Sequence, residues 1–399
     1  WTDLPNLNVN NPEVENYLFN MAEYWIREFD IDGYRCDVAW GIEERNNTFW
    51  QEMRRRIKNL KPEAFLLGES PADNNQAGVI LDIFNNKFDA AYDWELRGFG
   101  TGALNSLLSG TSSNVSTLNS VIAKTYPVND YPMRMMEDHD FSRATVEFGL
   151  KQSKLGHAVV FTVNGIPLIY GGGEVGELTQ LNPITWTDPN NFKPYFQKLL
   201  GIRRKYIRND DTVIMLSNTG SALVDSWLTK SDSTLILTLA NFTGSSASLT
   251  VNFSGNVSDT SLYVYDLLND TSLHVSVSGL NSLKFTLAGL EAGIYSLQKS
   301  VPTSVKDNPA FVYSFKLSQN YPNPFNPSTV IRYSVPEHSK ITLKIYDITG
   351  RELMTLLDKD MNPGEYEINF NASRLATGVY FYTLRSNAFA ITKKMLLLK

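Results

Sequence analysis

Asp32-Gly33-Tyr34-Arg35-Cys36-Asp37-Val38-Ala39 reads as a short strand that ends on a carboxylate. Two later segments repeat the device: Leu66-Leu67-Gly68-Glu69 closes on Glu69, and the run into Met136-Glu137-Asp138-His139-Asp140 closes on Asp140. A carboxylate at the carboxyl end of a buried strand stands at the mouth of a parallel sheet or barrel, where active sites are built. Three such groups at one mouth point to glycoside chemistry.

That chemistry asks for these residue types. Cleaving a glycosidic bond with retention needs an ionised carboxylate to attack the anomeric carbon and a protonated carboxyl to protonate the leaving oxygen, the two about 5–5.5 Å apart. Asp37 and Glu69 can divide the work only if their surroundings separate their pKa values. Arg35 lies two residues before Asp37, on the same strand face, where its fixed charge favours ionised Asp37. Glu69 follows Ala64-Phe65-Leu66-Leu67, an apolar run whose desolvation favours the neutral acid.

In this order the motifs resemble the α-amylase family of retaining glycosidases and transglycosidases, from residue 1 to about residue 298. The resemblance implies Asp37 as nucleophile, Glu69 as general acid/base and Asp140 as a third acid that binds sugar hydroxyls and stabilises the transition state. Arg35 and His139 fall where the family orients the nucleophile and contacts the reacting sugar. Arg143 resembles an arginine that often follows this motif, serving as a substrate-site salt bridge or as structure. The family usually has Asn where Asp138 stands, which alters local hydrogen bonding. The implied fold is a (β/α)8 TIM barrel, of which this chain carries strands 4–8. Trp1-Thr2-Asp3-Leu4-Pro5-Asn6-Leu7-Asn8 resembles a family segment after the third strand, so the expectation is a piece of a longer protein. No cofactor is implied for the chemistry; calcium has a structural role where the family uses it, and the sequence identifies no metal ligands.

Composition narrows the alternatives. A chain of 399 residues, 42% hydrophobic, is long enough for two or three domains with buried cores. The net charge is −6, and the tight basic run Arg54-Arg55-Arg56 falls on a predicted helix, where a solvated face is the ordinary reading, so nucleic acid is not the expected partner. Cys36 is the single cysteine and reads as a small buried hydrophobe. The four histidines, His139, His157, His274 and His338, lie far apart, without zinc-ligand spacing. No apolar run reaches the 18 or so residues of a transmembrane helix.

Strand and helix alternate along residues 1–209, the partial barrel. Asn11 caps a helix opened by Pro12 and Glu13, with Val14, Leu18, Met21 and Trp25 predicted on its apolar face. A second helix carries Phe49, Met53, Ile57 and Leu60, and Phe88 to Trp94 reads as a strand in which Asp93 and the following Glu95 are structural or rim residues. One helix is predicted over 103–124. Gly165 to Tyr170 forms a last strand, Gly171-Gly172-Gly173 a tight turn, and Trp186 either lines a sugar subsite or packs under its loop. A helix with Phe196, Leu199, Leu200 and Arg203 closes this part.

Residues 210–298 switch to alternation, as in Leu235-Ile236-Leu237-Thr238-Leu239, and predict an antiparallel β-sandwich. Residues 299–314, with Pro302, Ser304 and Pro309, read as a linker. Residues 315–399 contain Asn320-Tyr321-Pro322-Asn323-Pro324-Phe325-Asn326-Pro327, Ile345-Tyr346-Asp347 and Gly378-Val379-Tyr380, and resemble the C-terminal sorting domain of the type IX secretion system, a second small β-sandwich. The resemblances together imply a secreted or cell-surface α-glucan hydrolase that meets this secretion machinery. Glycosyl transfer, or glucan binding and display without turnover, are the alternatives.

Overall fold

The computed structural model describes residues 6–70, 86–98, 101–231, 234–253, 255–257, 261–281, 283–298, 315–335, 339–361, 364–386 and 389–398. The expected linker at 299–314 and the first five residues lie outside the described residues. Two compact units are present, Trp1–Thr303 and Ser304–Lys399.

The first unit opens on helix α1 (Pro12–Phe29), and its start is dictated locally. The Asn11 side chain accepts from the Glu13 N–H, Pro12 stands in the first turn, and Glu13 and Glu15 complement the helix dipole. Five parallel strands then assemble in sequence order: β1 (Gly33–Cys36), β2 (Phe65–Gly68), β3 (Ala90–Tyr92), β4 (Tyr131–Arg134) and β5 (Ile166–Pro167). Between β1 and β2 lie α2 (Ala39–Glu43) and α3 (Phe49–Leu60).

Both sheet faces are covered. Leu66 and Ala91 join an outer cluster with Phe19 and Ile26 of α1 and Phe49, Met53 and Ile57 of α3. Leu67, Ala90 and Tyr92 join an inner cluster with Trp94, Met133, Met135 and Phe141. This one-residue alternation between two apolar environments is why the strands read as continuous hydrophobic runs.

Several expectations are corrected. The buried stripe of α1 is Phe19, Ala22 and Ile26, whereas Met21 and Trp25 are exposed, so the face nearest the sheet is rotated from the predicted one. The single helix expected over 103–124 is two helices, Ala103–Leu108 and Ser116–Ile122. The break falls at Gly110, which adopts φ 73°, within a run of Ser, Thr and Asn whose side chains bond the local backbone. The basic run of α3 is paired rather than merely solvated: Arg54 meets Asp89 at 2.7 Å, and Arg55 and Arg56 bond Glu52.

The rest of the first unit is antiparallel. Strands β6 (Thr212–Met215), β7 (Val224–Lys230), β8 (Leu235–Asn241), β10 (Ser261–Asp266), β11 (Thr271–Ser276) and β13 (Glu291–Gln298) form one sheet, and β9 (Ala247–Thr250) pairs with β12 (Lys284–Leu287). Leu237, Leu239, Leu249, Val251 and Phe285 fill the space between them. On its other face the larger sheet presents Trp227, Ile236 and Ile294 to the helices Leu150–Thr162 and Phe192–Tyr206 in one continuous core.

The second unit has a three-stranded sheet of β14 (Lys316–Leu317), β15 (Ser328–Val335) and β18 (Gly364–Asn371). A four-stranded sheet holds β16 (Ser339–Tyr346), β17 (Glu352–Met361), β19 (Gly378–Arg385) and β20 (Ala390–Leu397). Ile331, Tyr333, Ile341, Leu343, Ile345 and Tyr382 form its core. The Asn/Pro-rich entry is locked rather than loose. Asn320 donates its N–H to the Tyr382 hydroxyl at 2.7 Å and its amide to Thr329 Oγ1 at 3.0 Å, and Phe325 exchanges backbone bonds with Leu396 and Leu398.

Candidate active site

Because β1 to β4 run parallel, the segments that follow them leave the same edge of the sheet. Asp37 follows β1, Glu69 follows β2, Tyr92 ends β3 and Asp140 lies in the loop after β4.

Arg35, on β1, joins two of the three acids. Its Nη1 pairs with Asp37 Oδ1, and its Nη2 lies 3.3 Å from Glu69 Oε2. Glu69 Oε2 also accepts the Val38 N–H at 2.6 Å, and the Glu69 N–H donates to the Cys36 carbonyl at 3.0 Å. Val38 makes this possible by adopting φ 44° and ψ 43°. A left-handed backbone at a β-branched residue is rare and costs on the order of 1–3 kcal/mol, and such strain clusters at functional sites.

The two carboxyl groups meet water differently. The Asp37 side chain is 74% exposed and that of Glu69 16%. Burial pushes Glu69 above the usual carboxylate range; the Val38 N–H and Arg35 oppose this, and nearby Asp37 reinforces it. Burial works against the charge on Arg35, but hydrogen bonds to Tyr92 and Asp37, together with the charge of Glu69, raise its pKa overall. Tyr92 is itself buried, stacked on Trp94 with centroids 5.3 Å apart.

A second group forms around Asp140. Asp138 Oδ1 accepts the N–H groups of Asp140 at 2.8 Å and Phe141 at 3.2 Å, and His139 Nε2 lies 3.4 Å from Asp140 Oδ2. Both His139 and Asp140 are open to solvent. The two groups are linked through the inner cluster: the Ser70 hydroxyl donates to the Tyr92 carbonyl, Trp94 Nε1 donates to the Ser70 carbonyl at 2.7 Å, and Trp94 meets the Phe141 ring edge-on at 5.6 Å. Arg97 lies over Phe141 at 4.4 Å while bonding Glu147 and the Met136 carbonyl.

Arg143, expected among the substrate contacts, is buried. Its Nη1 bonds Glu137 at 3.1 Å, its Nε and Nη2 donate to the carbonyls of Thr179 and Gly171, and its guanidinium covers the Tyr170 ring at 4.1 Å. It ties the loop after β5 to the Asp140 segment. Asp93 is also buried, 3.4 Å from Arg134, and Glu95 pairs with Lys124, both outside the acid groups.

Sequence reasoning passed over Tyr92, Trp94, Phe141 and Glu177. The alternation of Ala90, Ala91 and Tyr92 marks Tyr92 as facing the inner cluster; nothing local marks Glu177, whose role needs the loop's fold.

Among the described residues, Asp138, His139 and Asp140 are the group whose ligand atoms come within 4.8 Å of one another. Calcium takes six to eight oxygen ligands. With one imidazole and an Asp138 oxygen already holding two backbone N–H groups, this set does not fit calcium.

Residues 1–233 match the family described as alpha amylase, catalytic domain. The chain belongs to the α-amylase family. Residues 319–398 match the secretion system C-terminal sorting domain. A cyclomaltodextrinase from Geobacillus thermopakistaniensis is 30% identical over 229 residues, 54% of this chain and 37% of that protein. A maltogenic α-amylase from Bacillus acidopullulyticus is 33% identical over 182 residues, 44% of this chain and 29% of its own length. The chain thus spans 37% and 29% of the length of these two relatives. Among solved structures, a noncanonic maltogenic α-amylase from Thermotoga neapolitana superposes with TM-score 0.61 at 26% identity, covering 75% of this chain and 70% of that one.

Proposed function

We propose that the first unit carries the catalytic face of a retaining α-glucan hydrolase, built on strands 4–8 of a (β/α)8 barrel. It cleaves α-1,4-glucosidic bonds of starch or maltodextrins by double displacement. The observation that carries this reading is the sharing of Arg35 between an open carboxylate and a buried one. Asp37, exposed and paired with a fixed cation, attacks the anomeric carbon and forms a glycosyl-enzyme bond as the glycosidic oxygen departs. Glu69, biased by burial towards its neutral form, gives that oxygen its proton and then takes one from the incoming water. Asp140 and His139 bind sugar hydroxyls from the adjacent loop, and Arg143 positions that loop. The names of the relatives favour short or cyclic maltodextrins over long starch chains.

The second unit, through residues 315–399, serves as the address read by the type IX secretion system, which delivers the enzyme outside the cell or to its surface. The preceding residues divide into a barrel part at 1–209, a β-sandwich at 210–298 and a linker at 299–314.

The roles separate by leaving group. In the full-length protein, Asp37→Asn is expected to abolish the glycosyl-enzyme, seen by mass spectrometry. Glu69→Gln is expected to lose activity on starch by about 10²-fold or more while retaining far more on α-glucosyl fluoride, whose leaving group needs no protonation. Equal losses on both substrates would overturn the assignment of Glu69.

A further inference from the structure

We propose that Trp186 is a stacking platform for a glucose ring of a bound α-glucan, on the loop after β5 that bonds the His139 backbone through Gln180; the identity of the ligand rests on the function proposed above. The indole is not packed under its loop. It is 61% exposed, in a loop that also exposes Leu178 and Leu181. Exposed apolar groups carried together on one loop are the kind of surface that binding sites use.

The loop is built to hold the indole there. The Glu177 carboxylate gathers both ends of the 178–185 segment: one oxygen accepts from Leu178 N–H at 2.9 Å and from the Thr179 N–H and hydroxyl, the other from Thr185 N–H at 2.8 Å and its hydroxyl at 3.0 Å. On the far side, Asp188 caps the next helix by accepting from the N–H groups of Phe192 and Lys193. Trp186 lies between these anchors at φ 57°, a left-handed conformation that a bulky aromatic seldom adopts. With most of the ring exposed, packing does not offset that strain.

The same loop is bonded to the acid site. Gln180 donates to the His139 carbonyl at 2.7 Å, Tyr170 donates to the Gln180 carbonyl at 2.8 Å, and Arg143 holds the carbonyls of Thr179 and Gly171. A pyranose ring presents a patch of C–H groups that lies flat on an indole while its hydroxyls stay in water. A rigid aromatic with few rotatable bonds binds such a ring at little entropic cost. A platform on this loop extends the site along the glucan chain beyond the sugar undergoing reaction.

The test is calorimetric titration of maltohexaose into full-length protein carrying Asp37→Asn, which removes turnover, with and without a change at position 186. Trp186→Ala is expected to weaken binding about five- to tenfold, while Trp186→Phe, which keeps an aromatic face, stays within about threefold. Unchanged thermal unfolding of both variants separates binding from folding. A dissociation constant for Trp186→Ala within twofold of the parent overturns the platform while leaving wild-type hydrolysis of maltohexaose intact. Absence of both binding and hydrolysis overturns the platform and the proposed function together. Unchanged binding with loss of a dimer by sedimentation would assign the indole to a contact between copies and overturn the proposal.

Discussion

Burial and charge act separately on the carboxyl groups of this chain, and Asp225 shows burial with little opposition. It sits on β7 with 2% of its surface exposed, and desolvation pushes its carboxyl up to about 7 against hydrogen bonds from the Ser226 N–H and the Asn119 side chain. With its amide turned to donate, Asn119 reaches the two Asp225 oxygens at 2.6 and 3.2 Å. The folded state therefore holds this proton more tightly than the unfolded chain does. Stability from this group is fully present below the unfolded value of about 4, falls as pH rises towards the folded value, and is level above it. Asp225→Asn keeps the shape and removes the titration. Its stability relative to wild type is expected to grow by about 2–3 kcal/mol between pH 5 and 8 in urea unfolding. A constant difference across that range would show that Asp225 does not titrate there. At the same scale Glu69 is raised by burial beside a cation that partly opposes the effect, which suits the acid/base role proposed for it.

Among the elements, the β1–β2 pair has the least tolerance because both proposed reacting carboxylates depend on it. Gly33 pairs with Phe65 at φ 147°, and a Cβ built there would lie 1.8 Å from the Phe65 carbonyl oxygen. No rotamer relieves a clash with backbone. Gly33→Ala is expected to cost more than about 4 kcal/mol or to abolish soluble protein. Gly110→Ala provides the control: its φ is also positive, at 73°, but nothing lies within 4 Å of the added carbon, so only the left-handed penalty of about 1–2 kcal/mol applies. Circular dichroism and thermal unfolding of both variants check this, and similar losses would mean that backbone conformation, not strand spacing, makes Gly33 necessary.

At the scale of the whole molecule, the proposed reading assigns chemistry and address to separate units. The two units each have their own core, and the three candidate acids all lie in the first. A full-length protein ended at Gln298 is expected to keep its turnover per folded molecule on maltodextrin while failing to leave the periplasm of a host with the type IX system. Fractionation with activity normalised to enzyme amount reads both halves. Undiminished export would remove the sorting role, and a large loss of turnover would make the tail a glucan-binding module.

Local order in the chain was enough for the elements whose causes are local: the Asn11-Pro12-Glu13 start of α1, the alternation of β8, and the apolar runs that end on Asp37 and Glu69. The same order placed Arg35 beside Asp37, because residues two apart share a strand face. It could not show which stripe of α1 meets the sheet, since Met21 and Trp25 are as apolar as Phe19 and Ile26 and only packing chooses among them. Nor could it separate Arg143 from solvent-facing arginines, because its partners Glu137, Gly171 and Thr179 come from two loops. The bias of Glu69 towards its acid form and the exposure of Trp186 belong to tertiary structure for the same reason. Desolvation and accessibility are set by what the rest of the chain brings near, not by neighbours in sequence.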